Sequence, residues 1–394
     1  MTTVHARHFE TLKPVQITLE GESIQSVEPF AGSSEDAEHL PFVSPGFFDI
    51  QINGFGGVWF SSPDLTVDNV AAVTRALLQR GITRYFPTLI TASFEALQHG
   101  FQTLRAACQA DEVVADSVAG YHLEGPYISA EDGPRGAHPL QHVRAADFDE
   151  FSRLQEASGG RIRLVTLAAE AENAVPFIHQ CRTAGVVVAL GHTGATPEQI
   201  RAAVDAGAQL STHFGNGAHG MLPRHPNYLW EQLADERLWA SVIADGWHVP
   251  TAVLKCVRLC KSSERTILTC DVSGFAGCAP GTYAEGDVAV EVLSDGRLVV
   301  AGQRQFLAGS GATTGECVAH MAAACGISLA EAVQMATSNP ARLFSEHLPA
   351  VSAGQPATFS VFHVGEDNTA RGQGTASFIP RQTFLRGKCY RPED

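Results

Sequence analysis

Between about residue 46 and residue 345, short apolar runs alternate with stretches in which apolar residues return every three or four positions. The first have the length and continuity of strands buried on both faces, and the second have the period of helices. The runs are Gly46–Ile52, Tyr85–Ile90, Val118–Leu123, Ile162–Ala168, Val186–Gly191, Ala208–Thr212, Ala240–Ala244 and Thr266–Asp271. Eight strands alternating with helices is the count of a closed parallel barrel, so the pattern predicts an α/β fold, a (β/α)8 TIM-like barrel over residues 46–345.

Local signals agree with that alternation. Before Gly81, Val67, Val70, Val73, Leu77 and Leu78 share one helical face that would lie against the barrel wall. Thr196-Pro197-Glu198-Gln199 combines an N-cap hydroxyl, proline at the first helical position and a glutamine three residues after the cap, with Gly207 suited to end that helix. Ser328-Leu329-Ala330-Glu331 predicts a second capping box.

The two ends have another texture. Residues 1–45 read as short alternating strands such as Val15–Leu19, broken by polar turn segments such as Ala31–Asp36, and the texture returns after residue 346 in Ala357–Phe362. Residues 1–45 and 346–394 are therefore expected to pair into a small β-sandwich domain built from both termini.

Composition narrows the function classes. A net charge of -15, with no run of Lys or Arg, argues against nucleic acid or an anionic membrane surface as partner. The N-terminal segment lacks the apolar core of a signal peptide, and no stretch has the length of a membrane span. Nine cysteines without a C-x-x-C pair suggest neither a disulfide framework nor a cysteine zinc site, and fit the cytoplasm.

Chemistry is expected where barrel strands end, because the mouth of this fold lies at their C-terminal ends. Glu124 follows the third predicted strand, His192 the fifth and His213 the sixth, while Asp271 ends the eighth. Singly, either histidine could be a hydrogen-bonded structural residue, Glu124 a turn residue and Asp271 a loop anchor. Four ligand-competent residues at four strand ends make that a strained coincidence. Two imidazoles and a carboxylate suit zinc with a coordination position left open, and Asp271 would be the general base.

The segments Pro45–Gly54, His122-Leu123-Glu124-Gly125-Pro126, Gly191-His192-Thr193, Thr212-His213 with Asn216, and Ala244-Asp245-Gly246-Trp247-His248, followed by Asp271, resemble in that order the N-acetylglucosamine-6-phosphate deacetylase family of the amidohydrolase superfamily. The resemblance extends to Ala336–Ala341 and so over nearly the whole chain. It implies that Glu124, His192 and His213 hold one divalent metal per chain, and that Asp271 is the base that later protonates the leaving amine. His138 would lie against the substrate carbonyl and, as an imidazolium, help to stabilise the oxyanion. Asn216, Gly217 and His248 would contact the amino sugar, and Arg224 would reach its phosphate across a homodimer interface. Gln51 and Asn53 stand where the superfamily often has a second pair of metal-binding histidines, which leaves them either a vestigial second-metal slot or hydrogen-bonding residues for loops.

The implied reaction removes the acetyl group from N-acetylglucosamine 6-phosphate or a close N-acetyl amino sugar. Two alternatives stand beside it. A metal-dependent hydrolase of a cyclic amide or N-acyl amino acid would share the fold but need no Asn216, Arg224 and His248 set. A non-catalytic sugar-binding barrel would have no use for a metal ligand set beside a base.

Overall fold

The computed structural model describes residues 1–285, 288–366 and 376–392; residues 367–375, 393 and 394 of the expected terminal β domain lie outside them. The barrel strands are β1 (Phe47–Ile52), β2 (Ile82–Ile90), β3 (Tyr121–Glu124), β4 (Ile162–Leu167), β5 (Val187–Leu190), β6 (Leu210–Ser211), β7 (Trp239–Val242) and β8 (Thr266–Leu268). They form one parallel sheet in chain order. A parallel bridge between Ile52 and Val272 brings its two edges together.

The expected runs match these strands with shifted ends. β2 starts earlier, at Ile82, and β6 shrinks to two residues. β8 stops at Leu268, so Asp271 stands beyond the strand, where the chain has already turned into the mouth. A shift of register between Asp49 and Ile52 accompanies the turning of Gln51 toward the mouth, the use to which irregular strand positions near active sites are often put.

Apolar residues on the outer face of the strands pack with helices such as Val67–Leu78, which buries Val70, Val73, Leu77 and Leu78. A second cluster that includes Phe48, Ile50, Phe86, Leu164, Leu210, Ile267 and Phe344 packs together near the strand starts.

The capping box at Thr196 is complete, and Gly207 closes its helix with φ of 120°. The second box is half made. Ser328 accepts from the Glu331 amide, but the Glu331 carboxylate turns to Arg258 and Ser263, a charged and a hydroxyl donor that outcompete the Ser328 backbone.

Both ends of the chain join one seven-stranded sheet, in which Phe42–Pro45 pairs with Phe359–Glu366 and Thr2–His8 lies on its other side. Val4, Ile17, Ile24, Val43, Phe359 and Phe384 form its own core. An isolated bridge from Ser23 to Pro356 shows the sheet curling back on itself. Part of the expected turn Ala31–Asp36 is instead a short helix, Ser34–Glu38, nucleated where Ser33 caps the Asp36 amide.

One element has no counterpart in the sequence reading. Strands Gly281–Glu285, Val288–Val292, Leu298–Val300 and Gln303–Leu307 form an antiparallel four-stranded sheet after β8. Its last strand runs beside the mouth of the barrel.

Candidate active site

Glu124 ends β3, whereas His192 and His213 each stand two residues beyond β5 and β6. His192, His213 and Asp271 all adopt left-handed backbone, with φ of 51°, 26° and 49°. Such a conformation costs a non-glycine residue on the order of 1–3 kcal/mol and persists only where the surroundings fix it. Here the surroundings do so. The His213 amide donates to Ser241 Oγ at 2.8 Å, the Ser129 amide to the His192 carbonyl at 2.9 Å, and the Ser310 amide to the Asp271 carbonyl at 2.9 Å.

The three predicted ligands converge. Glu124 Oε1 lies 2.9 Å from His213 Nε2 and 3.2 Å from His192 Nε2, and the two imidazole nitrogens are 3.1 Å apart. His192 Nδ1 lies 2.9 Å from the Pro134 carbonyl, which can only accept; its proton is therefore on Nδ1, and the Nε2 lone pair faces the cluster. All three residues are buried. Burial alone would raise the Glu124 carboxyl, yet the two histidines hold it well below the ordinary range. Two imidazole nitrogens and a carboxylate crowded on one point form a donor set that fits a divalent cation.

Gln51 and Asn53 each make a hydrogen bond within the site. Gln51 Nε2 donates to Glu124 Oε1 at 2.8 Å, and Asn53 Nδ2 donates to Asp271 Oδ1 at 2.7 Å. Burial and the nearby Glu124 charge raise Asp271 to about 6, against the pull of His213, His248 and the Asn53 hydrogen bond. A carboxylate poised there is suited to take a proton and return it near neutral pH.

His138 differs from expectation. Its ring packs edge-on to His192 at 4.3 Å, and its Nδ1 lies 2.8 Å from Thr91 Oγ1. Burial, then the neighbouring His192, push it down to about 3, which disfavours the imidazolium form. With Nδ1 engaged by the Thr91 hydroxyl, Nε2 is the ring nitrogen of His138 left for a ligand in the mouth.

A cavity of about 340 Å³ opens over these groups. Glu124, His138, His192, His213, Asp271 and Asn53 line its depth, Asn216, Gly217, Trp247 and His248 one side, and Trp59, Ile90 and Phe306 other parts of the wall. His248 is oriented by Asp245, whose Oδ2 accepts from His248 Nδ1 at 2.7 Å while Oδ1 takes the Trp247 and His248 amides. Of the predicted substrate-binding residues, Arg224 is the one that one chain does not bring to the cavity; it lies on an exposed loop.

Sequence reasoning missed Thr91, Asp245, Trp59 and Phe306. Asp245 carried a signal, since it opens the Asp-Gly-Trp-His block. The other three become site residues only through the way distant segments meet at the mouth.

Comparison with known proteins places these residues in context. Residues 42–389 match the sequence model of the Amidohydrolase family. The chain is 33% identical over 323 residues to an N-acetylgalactosamine-6-phosphate deacetylase of Escherichia coli O157:H7, covering 81% of this chain and 82% of that protein. It is 33% identical over 312 residues to an N-acetylglucosamine-6-phosphate deacetylase of Bos taurus, covering 76% and 74%. A solved structure of N-acetyl-D-glucosamine-6-phosphate deacetylase from Mycobacterium smegmatis, a mutant in complex with N-acetyl-D-glucosamine-6-phosphate, superposes with a TM-score of 0.84 at 28% identity over the whole of both chains.

Proposed function

Since the chain belongs to the amidohydrolase family, we propose that it is a metal-dependent deacetylase that hydrolyses the acetamide of N-acetylglucosamine 6-phosphate to acetate and the amino sugar phosphate. The observation that carries this reading is the convergence of Glu124, His192 and His213 with Asp271 beside them in one buried mouth. Similarity to a galactosamine-type relative at equal identity makes the 4-epimer the second substrate to test.

Glu124, His192 and His213 would hold the ion, and zinc suits two imidazoles and a carboxylate with a position left open. A divalent ion there supplies Lewis-acid polarisation and lowers the pKa of water. Asp271 accepts the proton of the attacking water and delivers it to the departing amine. Asn53, donating to Asp271 Oδ1, leaves Oδ2 to do this. His138 donates from Nε2 to the carbonyl oxygen as negative charge develops there. Asn216, Gly217 and His248 would hold the sugar, and Arg224 of a second subunit in a homodimer would take the phosphate. No helix among the described residues is long and apolar enough to cross a membrane, and the nine cysteines stand as free thiols, which supports a reducing cytoplasm. Residues 1–45 and 346–394 we take as one domain beside the barrel of 46–345, on the strength of their shared sheet and separate core.

The test is acetate release from N-acetylglucosamine and N-acetylgalactosamine, each with and without a 6-phosphate, by metal-loaded protein. Release from a 6-phosphorylated substrate, lost with a chelator and restored by zinc, is the expected result. No release from any of the four would overturn the reading.

A further inference from the structure

Two cavities share a wall at the barrel mouth. The first is the site cavity; the second, of about 260 Å³, lies toward the start of the helix Phe94–Ala110 and is lined mainly by apolar groups, among them Pro63, Ala92 and Ala96. Trp59 and Ile90 line both cavities. Thr91, the hydrogen-bond partner of His138, lines the second and so ties its position to the carbonyl-binding side of the first.

The direction of the acyl group follows from the ring of strands. Asn216 and His248 follow β6 and β7, so they place the sugar on that side of the mouth. Trp59 and Ile90 come after β1 and at the end of β2, and in a closed ring of eight strands β2 faces β6 across the axis. An amide whose nitrogen bears the sugar on one side and whose carbonyl is held at His138 must project its methyl group to the other. That side offers an apolar surface, which suits a methyl and offers nothing to a sugar hydroxyl.

We infer that Trp59 and Ile90 set the limit on acyl chain length, and that the cavity behind them would admit N-acyl chains longer than acetyl only once that wall is opened. The inference rests on the deacetylase reading and deepens it. The two halves of the wall differ. Trp59 is pinned, since a Cβ at Gly274 would overlap its indole and Phe275 packs edge-on against it at 5.7 Å. Ile90 is half-buried, presents only an aliphatic side chain and pairs with Glu124 through the backbone, so its truncation should open the wall between the two cavities while that pairing stays in place. The chemistry of the longer substrates is unchanged: water adds to the acyl carbon, the carbon–nitrogen bond breaks, the amine gains a proton and the free carboxylic acid departs.

The experiment measures kcat/KM for N-acetyl, N-propionyl and N-butyryl glucosamine 6-phosphate with wild type and Ile90→Ala, together with melting temperatures. One methylene against an apolar wall discriminates by roughly 10–200-fold, so wild type should fall steeply from acetyl to butyryl, and Ile90→Ala should raise the butyryl-to-acetyl ratio at least about tenfold. Adding Ala96→Phe, which refills the second cavity, should take that gain back. Dissociation constants for the butyryl compound, measured by calorimetry on chains that also carry Asp271→Asn, should tighten with Ile90→Ala by a similar factor. Should Ile90→Ala not fold, Ile90→Val read with the propionyl substrate asks the same question. An unchanged ratio in a folded variant, or wild type that hydrolyses butyryl as well as acetyl, overturns the inference. Wild type that releases no acetate at all would instead remove the reading beneath it.

Discussion

Two fully buried carboxylates sit on the barrel, one at its seam and one at its mouth, and the groups around them differ in kind. Asp49 joins β1 to the chain after β8: its oxygens accept from the Gln51 and Cys270 amides at 2.9 Å and from the Thr269 and Thr314 hydroxyls at 2.5 Å. Every one of these donors is a backbone amide or a hydroxyl with no charge of its own. Burial raises the Asp49 carboxyl, and its hydrogen bonds only partly oppose that. Glu124 faces two imidazoles and one amide, and its carboxyl is held low. Burial therefore does not separate a structural carboxylate from a ligand. The separation lies in the kind of partner, uncharged donors that complete the carboxylate at Asp49 and titratable imidazoles that could join it in holding a cation at Glu124.

The sharpest way to break this contrast is Glu124→Gln, which keeps shape but removes the charge. Metal content measured on the purified protein should fall from about one ion per chain toward zero, and turnover with it. Retention of the ion would show that Glu124 belongs with Asp49. Next in size is Asp271→Asn, expected to lower kcat by roughly 10²–10⁴-fold with metal content and melting temperature as in wild type. If Asp271 only anchored its loop, stability would drop while turnover per folded molecule stayed near normal.

Asp49→Ala should do the reverse of both. It orphans four buried donors at roughly 1–3 kcal/mol each, so even after relaxation a loss of about 3 kcal/mol or more is expected in denaturant unfolding. Metal stoichiometry per folded chain should stay at the wild-type value, and a loss of the ion without a loss of stability would collapse the contrast.

Asp245 supplies an intermediate case and the smallest effect. Burial would push it up, but His248 and the amides of its loop bring it down to about 2 from an ordinary 3.8. A depressed carboxylate contributes its stability above the unfolded value, and the contribution is lost as pH falls from there through the folded value. Asp245→Asn should thus cost about 2 kcal/mol at neutral pH, a gap that closes as the pH approaches 2. A gap independent of pH would assign the cost to packing instead.

Much of the site was legible because its residues lie at the ends of apolar runs, and the period of those runs reports the burial of each element. Glu124, His192 and His213 could be found that way, since strand position alone sends them to one mouth. Asp49 could not, because its role depends on Thr269 and Thr314, far away in the chain and invisible to local pattern. The strand Gly281–Glu285 escaped for a different reason: none of its five residues is buried, so no alternation marks it. Asp271 was legible as a chemical group, but its place beyond β8 rather than at the strand's end was not, because a turn into left-handed backbone leaves no apolar signature. The Thr91 support of His138 and the wall of Trp59 and Ile90 arise where separate segments of the chain meet at the mouth, which no single segment records.

The sheet that joins the two ends of the chain has a temporal side. The strand Phe42–Pro45 finds its neighbour in Phe359–Glu366, which leaves the ribosome after most of the chain has been made. At about 5–20 residues per second the edge of that strand waits on the order of tens of seconds for its partner. Through that interval the eight barrel strands, whose neighbours are adjacent in sequence, can pair one after another as they emerge. The terminal sheet thus closes only after the barrel strands have had time to pair.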